Sequence, residues 1–197
     1  FTIKLPNPIQ EKELKPGTTR NVISTNKFLF LSLLLRHIGA AAVWVILPIM
    51  IMEKWGGDLY HISVVYVANT LTAFILMNVM ASKIHLSNIT KFKIGIGATT
   101  FVFVGLAFVT DWWMAMPFMS LVGATWAFLF IGGNFHLMEN NPRSTSTGIF
   151  SSTLSIATVI GPVIGGTIAF LFDYVAVLYF AVAVIVCAFI VSLKIKK

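Results

Sequence analysis

Six long apolar runs dominate this chain. Each is close to the 20 or so mostly apolar residues that a helix needs to cross a membrane. They cover residues 28–52, 61–81, 93–110, 113–137, 147–172 and 174–193. In hydrocarbon a segment satisfies its backbone within itself only as a helix, so the runs predict an all-α polytopic membrane protein. Charged residues make up 11% of the 197, against about 25% in a soluble domain. That is too little charge to coat a globule in water, and it also excludes a disordered chain or a coiled coil. The stretch 93–137 is too long for one span. Asp111-Trp112-Trp113 is its expected break, because indole has an apolar body and a polar N–H suited to the headgroup level.

The charges then orient the spans. Alternating spans put residues 1–27, the loop near 82–93, the loop near 138–146 and the tail after Leu193 on one side. Twelve of the 14 Lys and Arg fall there. The opposite side holds only Lys54, and Arg36 lies inside a span. The positive-inside rule makes the basic side, with both termini, cytoplasmic in a multi-pass protein of the cell membrane. The other side collects Glu53, Asp58, Asp111 and Asp173, together with Trp55, Tyr60, Trp112, Trp113 and Tyr174. Topology accounts for the net charge of +7 without nucleic acid as a partner. Residues 1–27, with three prolines and no apolar run, read as a cytoplasmic linker or tail. Residues 28–193 form the transmembrane domain, and 194–197 a short cytoplasmic tail.

Polar side chains inside spans point at other helices or at a cavity rather than at lipid. The first span carries Arg36, His37 and Trp44. The second carries Tyr66, Asn69, Thr70, Thr72 and Asn78, and the fourth Thr125, Trp126, Asn134 and His136. The fifth opens on a Ser/Thr-rich segment, with Ser144 and Thr145 read as helix caps. The third and sixth are nearly bare and read as lipid-facing periphery. This rhythm suggests a 3+3 internal repeat, as transporter folds often have. In the fifth span Gly161 and Gly165 form a G-x-x-x-G that lets a neighbour approach closely, Gly166 follows, and Pro162 is expected to bend the helix. Pro48 reads as the end of the first span. Arg36 is the one charge deep in a span. Its fork suits a carboxylate or phosphate, and Gly39 and Ala40, one turn on, leave room beside it. A structural ion pair and snorkelling are the alternatives. His37 points about 100° away and reads as a helix contact.

These residues resemble the C-terminal six-helix half of the major facilitator superfamily. RHIGAAAVWVILPIMIMEKWGG resembles its seventh helix, HISVVYVANTLTAFILMNVMASKI its eighth, and PRSTSTGIFSSTLSIATVIGPVIGG its tenth-to-eleventh loop and eleventh helix. The loop ASKIHLSNITKFK departs from the family's G-x-x-x-D-R-x-G-R pattern and has no acidic residue. The resemblance implies half of a secondary active transporter working by alternating access. Its first and fourth spans would line the cavity, the second and fifth would face another half, and the third and sixth would face lipid. That other half is a separate polypeptide, a segment upstream of residue 1, or a second copy. The candidate substrate-binding residues are then Arg36, Trp44, Tyr66, Asn69, Trp126 and Asn134. The gating or packing residues are Gly161, Pro162, Gly165 and Gly166, and Gly161 and Gly165 are expected against the other half.

Neither an enzyme nor a cofactor is expected. No G-x-S-G nucleophile occurs, the four histidines are scattered, and Glu139 near His136 is a single carboxylate at a helix end, so no metal site is expected. A non-transporting scaffold or assembly subunit is the other functional class open to such a chain. The charge asymmetry predicts that, in a Cys187→Ala background, Lys15→Cys is labelled only from the cytoplasmic face and Asp58→Cys only from outside. Labelling of position 15 by an impermeant reagent in intact cells reverses the assignment.

Overall fold

A computed structural model describes residues 18–82 and 84–195. They form seven α-helices: α1 (Thr18–Thr25), α2 (Lys27–Glu53), α3 (Leu59–Ser82), α4 (Asn88–Leu106), α5 (Trp112–Asn140), α6 (Arg143–Leu171) and α7 (Tyr174–Leu193). No strand occurs among the described residues. α2 to α7 are the six helices long and apolar enough to cross a membrane, the build of a multi-pass membrane protein. α1 belongs to the stretch read as a linker, whose first 17 residues lie outside the described part. It buries Val22 against the bundle.

Most spans agree with the apolar runs to within a few residues, and the departures have local causes. α4 starts at Asn88 rather than 93 because Ser87 caps it, its hydroxyl accepting from the Thr90 N–H at 3.3 Å. Lys91 and Lys93, expected in a loop, therefore lie in the helix. Lys91 is buried, and Lys93 Nζ donates to the Ile195 carbonyl at 3.1 Å, beyond the end of α7. Pro48 does not end α2, which continues to Glu53, and α6 likewise runs on through Pro162 to Leu171. A proline removes its own N–H but leaves the ladder on either side intact. Ser144 and Thr145 do not cap α6. The cap position is Pro142, whose carbonyl accepts the Ser146 N–H at 2.9 Å.

α2 and α5 are the central helices. α2 packs along α6 and α7, and α5 packs along α3 and α4; α4 also meets α7 and joins the two trios. Small residues set these contacts. A Cβ at Gly161 would lie 2.6 Å from Ala41 Cβ, and one at Gly165 would lie 2.5 Å from the Ala42 carbonyl oxygen. Gly123 of α5 meets the backbone of Asn69 and Ala73 on α3 in the same way. Gly161 and Gly165 thus face α2 of this chain, which corrects the expectation that they meet another half. The two spans read as lipid-facing periphery each bury one side against the bundle. α4 buries Phe92, Ile96, Thr99 and Phe103, and α7 buries Leu178, Ala181 and Ile185. The least buried spans are α3 and α6, with 11% and 17% of their most apolar windows buried. An apolar side chain is as well placed against a helix as against lipid, so bareness alone does not mark the outside of a bundle.

The turns alternate between the two ends of the bundle. At one end the Trp112 N–H donates to the Trp55 carbonyl at 2.9 Å, and the Tyr174 hydroxyl donates to Glu53 at 2.9 Å. Lys54 lies 3.8 Å from Asp173 there. At the other end Asn88 Nδ2 donates to Glu139 at 2.6 Å, and Lys27 and Lys194 both sit over the Phe28 ring. The paired glycines of α6 give a sharp test. Gly165→Ala forces α6 off α2 and should cost about 1–3 kcal/mol, seen as a lower unfolding temperature in detergent. Gly166→Ala, with no atom within 4 Å of the new methyl, should leave that temperature unchanged or raise it.

Candidate functional site

A cavity of about 240 Å³ lies where α2, α3 and α5 meet. Arg36, His37 and Trp44 line it from α2, Asn69, Thr70 and Ala73 from α3, and Val122 and Trp126 from α5. The spacing follows from helical geometry. Arg36 and Trp44 are about two turns apart, while Asn69 and Ala73, like Val122 and Trp126, are about one turn apart on a shared face. Gly123, beside Val122, lets the α3 backbone come close enough to close the cavity wall. A larger groove of about 580 Å³ runs where α1 lies along α6, lined by Thr19, Ser144, Thr145 and Ser152 among others. It is shallow and carries no charged side chain.

Arg36 is the chemical centre of the cavity. About nine residues into α2, it sits roughly 13 Å from the helix start and is 2% exposed. Nη2 donates to Thr99 Oγ1 of α4 at 3.2 Å, and that hydroxyl donates in turn to the Gly95 carbonyl at 2.6 Å. The guanidinium carbon lies 5.5 Å from the centre of the Trp126 ring, within cation–π reach. Nε is buried without a hydrogen-bond partner among the described residues. No Asp or Glu lines the cavity. A buried cation normally has a counter-charge, because taking it out of water costs several kcal/mol. Among the described residues this one has a hydroxyl and a ring in place of a carboxylate. The room beside Arg36 is not at Gly39, as its spacing suggested. That face is filled by α7, with the Ala181 carbonyl oxygen 3.1 Å and Ile185 Cγ1 3.2 Å from where a Cβ would stand. The open side is toward α3 and α5.

The sequence-derived residues divide as follows. Arg36, Trp44, Asn69 and Trp126 come together in the cavity. Tyr66 stands behind it, its hydroxyl donating to the Trp44 carbonyl at 3.3 Å and its ring 5.4 Å from that of Trp44. Asn134 lies two turns beyond Trp126, buried, with Nδ2 donating to the Phe130 carbonyl at 3.1 Å, and does not reach the cavity. Gly161, Pro162, Gly165 and Gly166 belong to α6, with the first and third at its seam with α2. His37 was read as a helix contact only. It does contact α6, with Nε2 3.3 Å from Thr158 Oγ1, yet it also lines the cavity with its ring 5.5 Å from Trp126. Thr99 was missed because α4 reads as bare. Thr99 and Thr100 are the polar pair in the middle of that span, the one signal that pointed there. No cluster of three metal-ligating side chains occurs among the described residues.

Comparison of the chain with protein-family models and with curated proteins gives no match. What is plain is the class: an all-helical protein with six helices fit to span a membrane, and a cavity holding a buried arginine between three of them. Thr99→Val keeps the side chain's shape and removes the one side-chain hydroxyl that bonds the guanidinium among the described residues. It should destabilise the fold by about 1–3 kcal/mol, read as a lower midpoint in detergent unfolding, while Thr100→Val should have little effect.

Proposed function

We propose that this chain is half of a secondary active transporter that moves a small solute by alternating access. In this reading its six spans are two inverted triplets, as in the C-terminal half of a major facilitator. The packing supports it. Exchanging α2 with α5, α3 with α6 and α4 with α7 turns the α2–α6 contact into α5–α3 and the α2–α7 contact into α5–α4, and maps the α4–α7 contact onto itself. The second half covers α3 and α6, whose outward faces carry Val67, Leu71 and Phe74 and Val159 and Val163, all more than half exposed. It is another polypeptide, an upstream segment or a second copy. Both termini are cytoplasmic, and the chain needs no cofactor and does no covalent chemistry.

The observation that carries the proposal is Arg36: a guanidinium buried beside a cavity, about a third of the way along a span, with no carboxylate among the residues that line the cavity. A charge in the membrane interior is costly and is kept where it handles a solute or an ion. The solute enters between α2, α3 and α5, with the Arg36 fork on its charged end and Trp44 and Trp126 against its body. The test is uptake of a panel of radiolabelled anionic and neutral solutes by cells producing the full chain. Arg36→Lys keeps the charge and loses the fork. It should insert normally and lower uptake of the transported solute at least tenfold, and Arg36→Gln should abolish it. Wild-type rates in Arg36→Gln remove Arg36 from binding and coupling. A chain that moves nothing across the panel favours the scaffold role instead.

A further inference from the structure

α4 and α5 meet along one antiparallel seam. A Cβ at Gly95 would lie 2.5 Å from the Leu129 amide nitrogen, and one at Gly132 would lie 2.6 Å from the Asn88 carbonyl oxygen and 2.9 Å from Lys91 Cβ. Beside this seam a cavity of about 270 Å³ is lined by Ile94, Ala98 and Phe101 of α4 and by Leu121, Ala124 and Phe128 of α5. It opens at the surface of the bundle, where Ile94, Phe101 and Leu121 are exposed. The hydroxyl in its wall, that of Thr125, is spent on the Val122 carbonyl at 2.9 Å. The space therefore suits a hydrocarbon chain and offers nothing to a polar group. It lies away from the outward faces of α3 and α6, so a second half seated on those faces leaves it to lipid.

Lys91 continues the line of Ile94 and Ala98 one turn nearer the start of α4. It is only 6% exposed, and its side chain makes no hydrogen bond or ion pair among the described residues. Helical side chains lean toward the helix start, here the end of the bundle that holds Lys27 and Lys194. One turn further along the seam, Asn88, Phe135, Glu139 and Arg143 line a second space of about 420 Å³. The Arg143 side chain is exposed and likewise unpaired among the described residues. Glu139 is the carboxylate of that space and is already engaged, accepting from Asn88 Nδ2 at 2.6 Å and lying 3.6 Å from His136 Nδ1. Along the seam the order is thus apolar wall, buried cation, then a polar mouth with a second cation. We infer that this groove seats one anionic phospholipid, with an acyl chain in the apolar part and the phosphodiester at Lys91 and Arg143. A buried ammonium without a counter-charge is costly, and two cations against one engaged carboxylate favour a headgroup of net negative charge. The inference does not depend on the chain being a transporter.

Phosphatidylglycerol and phosphatidylcholine with the same acyl chains test it. Native mass spectrometry of the full chain in detergent, titrated with each lipid, reads the affinity of the first lipid bound. Phosphatidylglycerol should bind about fivefold or more tightly, the worth of one basic side chain at an anionic lipid surface. Lys91→Gln and Arg143→Gln should each remove part of this preference, and together they should bring the two lipids level. Arg143 is exposed, so its variant carries the test if Lys91→Gln does not fold. Ala98→Leu fills the apolar part and should weaken both lipids. Lys54→Gln, at the opposite end of the bundle, should change neither. Equal affinities in the wild type, a preference unchanged in Arg143→Gln, or one lost in Lys54→Gln overturn the headgroup site. Unchanged binding in Ala98→Leu overturns the seat for the chain. Glycerol phosphate, which has the phosphate and no acyl chain, should not displace phosphatidylglycerol at millimolar concentration. If it does, the groove takes soluble phosphate esters and the lipid assignment falls.

Discussion

Close backbone approach at small residues is the contact on which the rest of this structure depends. Lipid tails are as apolar as leucine, so no hydrophobic gain draws two spans together, and van der Waals contact between well-fitted surfaces must do it. Here Gly161 and Gly165 seat α6 on Ala41 and Ala42 of α2, and Gly123 seats α5 on α3. On the far side of α2, Gly39 admits Ala181 of α7, and Gly95 and Gly132 close α4 on α5. Each central helix is therefore held on two sides by neighbours that nearly touch its backbone. A methyl group on one of these seams is a larger perturbation than a bulky change on an outward face.

The cavity is the place where that close packing stops. α2, α3 and α5 converge there, and Trp44, Trp126, Arg36 and His37 are among the side chains that line the space. Thr99 reaches in from α4 to take one guanidinium N–H, so four helices meet around one charge. Tyr66 fixes the backbone behind Trp44. Of the polar atoms around it, Thr70 Oγ1 donates to the Tyr66 carbonyl, while Nε of Arg36 and Nδ1 of His37 are buried without a partner among the described residues.

Hydropathy made the six spans legible, since length and apolar content are the properties that hydrocarbon selects. It also made Arg36 legible, because one charge in an apolar run stands out without any knowledge of the fold. Partnership was far less so. The G-x-x-x-G of α6 announced a close contact but not with which helix, and the neighbour proved to be α2, over 100 residues away in the chain. Polarity said little about the inner sides of α4 and α7, which are mostly apolar apart from Lys91, Thr99 and Ser192. His37 was misread because angular separation on one helix says nothing about a cavity shaped by two others. Asn134 lies away from the cavity, where Nδ2 donates to the Phe130 carbonyl and Oδ1 is buried without a partner among the described residues. Ser87 was a readable start signal for α4, obscured by the lysines that follow it.

The spans differ in length, and this shapes the membrane around them. α5 and α6 have 29 residues each and α4 has 19, so their axes run about 43 Å and about 28 Å. A hydrocarbon layer is about 30 Å thick. α4 just matches it, and the longer pair exceeds it by about two and a half turns. The surplus of α6 falls on Arg143 to Ser152, the hydroxyl-rich opening that lines the groove with α1. Where helices of such unequal length cross one bilayer, the lipid beside the long ones and beside α4 meets apolar walls of different length.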